Sequence, residues 1–140
     1  MLRVWMSLVV CMLLFGVTGC SKPKVTEVAS IRLECVDLCK SDQQSTVPFT
    51  EKTFTGADEI RPFVNAINKA SKISGDIDYG TYFFMYVSYK EGSEKKYVLN
   101  ISDLDKEGMR GLLVDTEDSG QGYEIPAEIH TELRKLIYQK

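Results

Sequence analysis

Apolar and polar positions divide this chain into a short uncharged leader and a longer patterned body. Arg3 is the sole charged side chain before an uncharged run from Val4 to Ser21, and a polar stretch with two lysines and Pro23 follows. From Val28 the residues alternate, Ile31, Leu33 and Cys35 falling on one side and Arg32 and Glu34 on the other. A period of two marks a strand with one buried face. Lys40 to Val47 is polar and reads as an exposed loop, after which Phe49, Glu51 and Thr53 alternate with Thr50, Lys52 and Phe54 as a short second strand.

A helix is expected from Asp58, because Ile60, Phe63, Val64, Ile67, Ala70 and Ile73 line up as one apolar stripe. Pro62 falls in its first turn, where a missing N–H is tolerated, and Gly75 is its natural terminator. Thr81 to Lys90 is β-branched and aromatic, apolar on both sides, as a central strand would be. The segment Glu91-Gly92-Ser93-Glu94 reads as a hairpin turn, and Lys96 to Ile101 as the returning strand. Met109 to Asp115 and Gly120 to Ile125 supply further short strands. Pro126 then opens a closing helix whose buried stripe is Ile129, Leu133, Leu136 and Ile137. The expected fold class is α+β, an antiparallel sheet of about five to six strands with two helices packed on one face. Residues 28–140 are expected to make a single domain, preceded by a signal peptide over residues 1–19 and a tether over residues 20–27, of which Ser21 to Thr26 reaches roughly 20 Å when extended.

The leader has the basic head, apolar run and small residues of an export signal. Its last residues, Val17-Thr18-Gly19-Cys20, have the form of a lipobox: an aliphatic residue, a small residue, glycine, then the cysteine that takes the lipid. Sulfur is required there because a thiolate is the nucleophile that accepts the diacylglyceryl group. Cys20 is therefore the expected lipidation site and the first mature residue, on the extracytoplasmic face of a cell membrane. One acyl chain holds a protein only marginally, whereas two or more hold it stably. Two other readings compete. An uncleaved membrane helix just reaches spanning length but is weakened by Ser7, Gly16, Thr18 and Gly19, and a secreted protein cut without acylation leaves Cys20 without a purpose.

Charge narrows the partners. Against 17 basic residues stand 20 acidic ones, a net charge of −3. No basic cluster suited to phosphate is present, so neither nucleic acid nor polybasic attachment to anionic lipid is expected.

Cys11 leaves with the leader, so Cys35 and Cys39 are the cysteines that face the outside. In an extended strand their α-carbons would stand roughly 13 Å apart, against about 5.5 Å in a bridge. A disulfide therefore requires a turn around Val36 to Leu38; two unpaired, half-buried thiols are the other main reading. A metal or redox role finds little support in a lone C-x3-C.

Candidate chemistry in the body is sparse. His130, the sole histidine, lies off the apolar stripe of the last helix and reads as a surface residue. Asp103, Asp105 and Glu107 before Gly108 resemble the start of a calcium loop, but the twelfth position holds Val114 where a bidentate glutamate is needed. Asp115, Glu117 and Asp118 read as a solvated hairpin tip. Within the aromatic band, alternation sends Tyr82, Phe84 and Tyr86 one way and Phe83, Met85, Val87 and Tyr89 the other. Tyr82, Tyr86 and Tyr89 are the candidates for a contact surface, tyrosine combining apolar area with a polar tip.

The lipobox, the helical segment Phe63-Val64-Asn65-Ala66-Ile67-Asn68-Lys69-Ala70 and the strand Tyr97-Val98-Leu99-Asn100-Ile101 together resemble the YhfM-like lipoproteins of Gram-positive, spore-forming bacteria. Asn100 stands where an aromatic residue is expected, and Cys35 with Cys39 lies outside the pattern. That family is functionally uncharacterised, so the resemblance implies a cell-surface lipoprotein and no active-site residue or cofactor. The favoured expectation is a membrane-anchored, non-enzymatic binding or envelope accessory module with a protein partner in the envelope and no cofactor. The alternative is a small hydrolase or metal-dependent protein using the acidic loops, which would gather carboxylates in a pocket.

Overall fold

The computed structural model describes residues 22–41 and 46–140; the leader and Cys20 lie outside them. After a 3-10 turn at Val25–Glu27, the elements are β1 (Val28–Cys35), α1 (Asp37–Ser41), β2 (Glu51–Phe54), α2 (Ala57–Lys69) and β3 (Ser71–Lys72). They continue with β4 (Phe83–Tyr89), β5 (Glu94–Asn100), β6 (Gly111–Asp115), β7 (Gly122–Ile125) and α3 (Ala127–Tyr138). The strands form one seven-stranded sheet in the order β2-β1-β4-β5-β6-β7-β3, and every described pairing is antiparallel.

The class is α+β, as the pattern predicts, with seven strands against the expected five to six and three helices against two. The extra strand is β3. The stripe running to Ile73 suggests that the helix continues to Gly75, but α2 ends at Lys69 because Ser71 and Lys72 pair with Glu124 and Tyr123 of β7. A sheet edge left unpaired there would expose donors and acceptors, and two ladder positions outweigh another helical turn. The extra helix is α1, a single turn in the stretch after β1.

Both longer helices cover the same face. Across the sheet this face presents Ile31, Leu33 and Cys35 from β1, Phe83, Met85 and Val87 from β4, Tyr97 and Leu99 from β5, and Leu113 and Ile125 beyond. All belong to one buried cluster with Phe63 of α2 and Ile129, Leu133 and Ile137 of α3. Phe54 and Phe63 bring their ring centroids within 5.1 Å, and Tyr138 packs edge-on to Phe83 while its hydroxyl donates to the Ile101 carbonyl at 2.9 Å. At the start of α2, Glu59 accepts from the Gly56 N–H at 3.3 Å, and Asp58 and Glu59 complement the positive end of the helix dipole.

The opposite face is half covered. Val98 and Val114 point away from the helices, since they sit between Tyr97 and Leu99 and between Leu113 and Asp115, yet both are buried. The connection from β3 to β4 crosses this face. Ile73 and Ile77 lie beside Leu112 over Gly122, where a β-carbon would come to 2.6 Å of Ile77 Cδ1. Glycine at 122 leaves room for the Ile73 and Ile77 side-chain tips of this strap against the strand. Tyr79 donates to the Ser119 carbonyl at 3.1 Å, and the Asn100 amide donates to the Gly80 carbonyl at 2.6 Å, pinning the crossing at both ends.

The expected tether is, from Lys22 onward, fastened to the body. Lys22 Nζ donates to the Asn68 carbonyl at 2.8 Å, and Asn68 Nδ2 donates to the Pro23 carbonyl at 2.9 Å. Val25 packs on the core, and the Lys90 N–H donates to the Glu27 carbonyl at 2.9 Å.

Candidate functional site

The uncovered half of the sheet, over β2, β1, β4 and the first half of β5, carries a row of stacked charged and aromatic side chains. Register places Arg32 opposite Tyr86 and Tyr86 opposite Lys96, with Glu34 opposite Phe84 in the next row. Arg32 stacks with its Cζ 3.8 Å from the Tyr86 centroid, while Lys96 Nζ lies 3.7 Å from the Phe84 centroid and 5.3 Å from that of Tyr86. Each such contact at a partly exposed site contributes about 0.5–1 kcal/mol. Glu51 pairs with Arg32 at 3.2 Å, and Tyr86 donates to Glu34 at 3.3 Å. Two aromatic rings thus carry a fixed guanidinium and a fixed ammonium, with carboxylates at the margin. Such a patch holds its side chains in fixed positions, and Tyr and Arg are the residue types that dominate contact energies at protein interfaces.

The three candidate tyrosines do not share this surface. Tyr86 lies on it. Tyr89 pairs with Val28 on the helix side and packs against the core, where burial pushes its phenol above the ordinary value. Tyr82 is half-buried against the core; its N–H donates to Asn100 Oδ1 at 2.8 Å and its carbonyl accepts from Val36. Strand alternation alone places Tyr89; the position of Tyr82 depends on the chain bending just before β4.

Cys35 and Cys39 form a disulfide with their α-carbons 5.5 Å apart. The turn of α1 supplies the required closure, its Lys40 N–H bonding to the Val36 carbonyl at 3.1 Å. Both sulfurs are buried and bonded, which removes them as ligands and nucleophiles.

The first acidic loop is held by Arg134 of the last helix and by Lys140 just beyond it. Asp103 is 7% exposed; Lys140 Nζ lies 2.6 Å from its Oδ2, and Arg134 Nη1 donates to its carbonyl at 3.2 Å. Arg134 Nη2 reaches Asp105 at 3.0 Å, and Glu107 is exposed. This arrangement latches the loop to α3. Among the described residues, no three or more His, Cys, Asp or Glu side chains are grouped so as to hold a metal ion.

In the second acidic turn, Asp115 accepts from the Glu117 N–H at 3.0 Å and pairs with Lys95 at 2.6 Å. Beside it, a cavity of about 190 Å³ opens under the end of α2, lined by Ile67, Tyr97, Leu113, Asp115, Asp118 and Tyr123. Burial pushes the Tyr97 phenol up to about 12, so it stays neutral and offers a proton only as a hydrogen bond. Sequence reasoning missed this cavity, because Ile67 belongs to a helix and the tyrosines to separate strands. The hydrophobic alternation of β5 was the one signal that Tyr97 faces inward.

His130 departs from its expected place on the surface. It is 2% exposed, its Nε2 is buried without a hydrogen-bond partner, and burial with nearby Arg134 lowers its pKa below the ordinary value. The apolar stripe of α3 is wider than the four residues that define it in the sequence, since the helix lies against both the sheet and α2.

In comparisons with protein-family models, with curated proteins and with solved structures, the chain matches none.

Proposed function

We propose that this chain is a small surface lipoprotein of the kind the YhfM-like pattern implies. It is held through lipid on Cys20 at the extracytoplasmic face of a cell membrane, and it serves as a non-enzymatic binding or envelope accessory module. The observation that carries the reading is the Val17-Thr18-Gly19-Cys20 sequence at the end of an uncharged leader. The Cys35–Cys39 bridge supports it independently, since disulfides persist in oxidising compartments outside the cytoplasm. No helix among the described residues is long and apolar enough to cross a membrane.

The contact surface of this module is the Arg32, Tyr86, Phe84 and Lys96 patch, and its partner is a protein of the envelope. The acidic side chains favour this reading over hydrolysis, because Asp103 and Asp115 are each occupied by a lysine of the same chain. Metabolic labelling with a palmitate analogue tests the anchor. Label is expected on the native chain and none on Cys20→Ala, which either leaves the membrane fraction or keeps its leader; equal labelling of both would overturn the reading. For the surface, a photo-crosslinking residue at Tyr86 is expected to give an adduct with an envelope protein that the same residue at Glu107 does not.

A further inference from the structure

We infer that the body sits directly on the lipid surface, with the end of the sheet that bears the 90–93 hairpin and the 116–121 turn against the headgroups. This rests on the proposed acylation of Cys20. If the cysteine carries the lipid, Ser21 alone separates it from Lys22, and Lys22 and Pro23 are fastened to Asn68 in the last turn of α2. Residues 20–22 can therefore span about 7 Å, whereas a free chain over residues 20–27 would allow about 24 Å. Lys22 also satisfies a carbonyl that the end of α2 leaves open, so its attachment has a physical cause.

Strand direction says which end is near. Glu27 accepts from Lys90 at the hairpin after β4, and Pro23, Glu27, Tyr89 and Glu91 border one hollow. Lys96 at the start of β5 accepts from Thr116 at the start of the β6–β7 turn, which puts that turn at the same end. The Cys35–Cys39 bridge, Asn100 and the 102–110 loop lie at the other. The strands then stand upright on the membrane, β1 leading away from it and β4 returning, and the Arg32 and Tyr86 patch faces sideways, open to a neighbour in the same membrane. Lysines and carboxylates are mixed at the near end, Lys22, Lys72 and Lys90 against Glu91, Glu117 and Asp118. The apposition therefore comes from the short anchor and not from attraction to anionic lipid, and salt has little effect on it.

Sole-tryptophan variants test this, because Trp5 is the one tryptophan of the chain and precedes Cys20. The acylated protein, verified by mass, is reconstituted into phosphatidylcholine and phosphatidylglycerol vesicles with a nitroxide on the headgroup. Ser93→Trp and Ser119→Trp are expected to be quenched severalfold more strongly than Glu107→Trp, at low and high salt alike. An unacylated mass would sink the lipoprotein reading and this inference together. Acylated protein with equal quenching at all three positions would overturn this inference alone. Adding Lys22→Ala and Asn68→Ala to Ser93→Trp is expected to relieve quenching while the far-ultraviolet circular dichroism stays unchanged; persistent quenching in that folded variant would also count against it.

Discussion

Arg134 extends from the last helix to the backbone carbonyl of Asp103, 3.2 Å away, and its other nitrogen reaches the Asp105 carboxylate at 3.0 Å. One guanidinium thus ties the ten-residue connection 101–110 to α3. The two acids beneath it differ sharply in burial, Asp103 at 5% side-chain exposure and Asp105 at 85%. Arg134→Ala leaves a buried carboxylate with Lys140 as its remaining charged partner and should cost roughly 2–4 kcal/mol. Asp105→Ala should change stability by less than about 1 kcal/mol, because solvent screens that pair. Urea denaturation of the two variants measures the contrast, and equal losses would show that the latch has been misplaced.

The His130 pKa is lowered in the folded protein, so the unfolded chain binds more protons as the pH falls through the ordinary histidine range. Stability is therefore fully present above about pH 6.5 and declines as acid is added, until the pH passes below the folded value. His130→Leu keeps the site filled and removes the titration. Its melting temperature should fall less between pH 8 and pH 5 than that of the native chain, and parallel curves would contradict the assignment.

Cys35 and Cys39 enclose a short loop, with a sequence separation of 4. Chain entropy for such a loop gives about 2 kcal/mol, less than a long-range bridge provides. Reduction should lower the melting temperature while leaving the fold intact, since both residues pack as small apolar groups within the core. Thermal denaturation with and without reductant reads this directly; complete unfolding on reduction would mean that α1 organises far more of the sheet than its size implies.

Gly122→Ala should push Ile77 off the sheet, because its methyl group would lie 2.6 Å from Ile77 Cδ1 and 3.1 Å from Leu112 Cδ1. Because the atoms it meets are side-chain tips that can turn aside, the loss should fall at the low end of overpacking costs, about 1 kcal/mol. Adding Ile77→Ala should recover part of that loss, a non-additive result expected of residues in contact. Strictly additive losses in the double variant would place the strap elsewhere.

Alternation in the sequence was enough to read β1, β2 and β5, because a period of two follows from one buried face and needs no knowledge of the partner strand, while β4 was legible from its β-branched and aromatic run. The stripe of α2 and the closing helix after Pro126 were legible for the same reason. Less legible were features made by residues distant in the chain. Ser71 and Lys72 become a strand because β7 offers them partners, and Tyr97 and Tyr123 share a cavity because β6 lies between their strands. Stacking of Arg32 on Tyr86 is likewise a consequence of register, which local pattern does not specify.

The sequence by itself determined which side of β1 and β5 is buried, where the longer helices begin, and the lipobox pattern on which the proposed anchor rests, since each depends on neighbouring residues in the chain. Tertiary structure alone decided that residues 22–27 lie against the body, that the β3–β4 connection covers half of the free face, and that His130 is buried. Those outcomes depend on which surfaces meet, and a contact across many residues leaves no periodic trace in either partner.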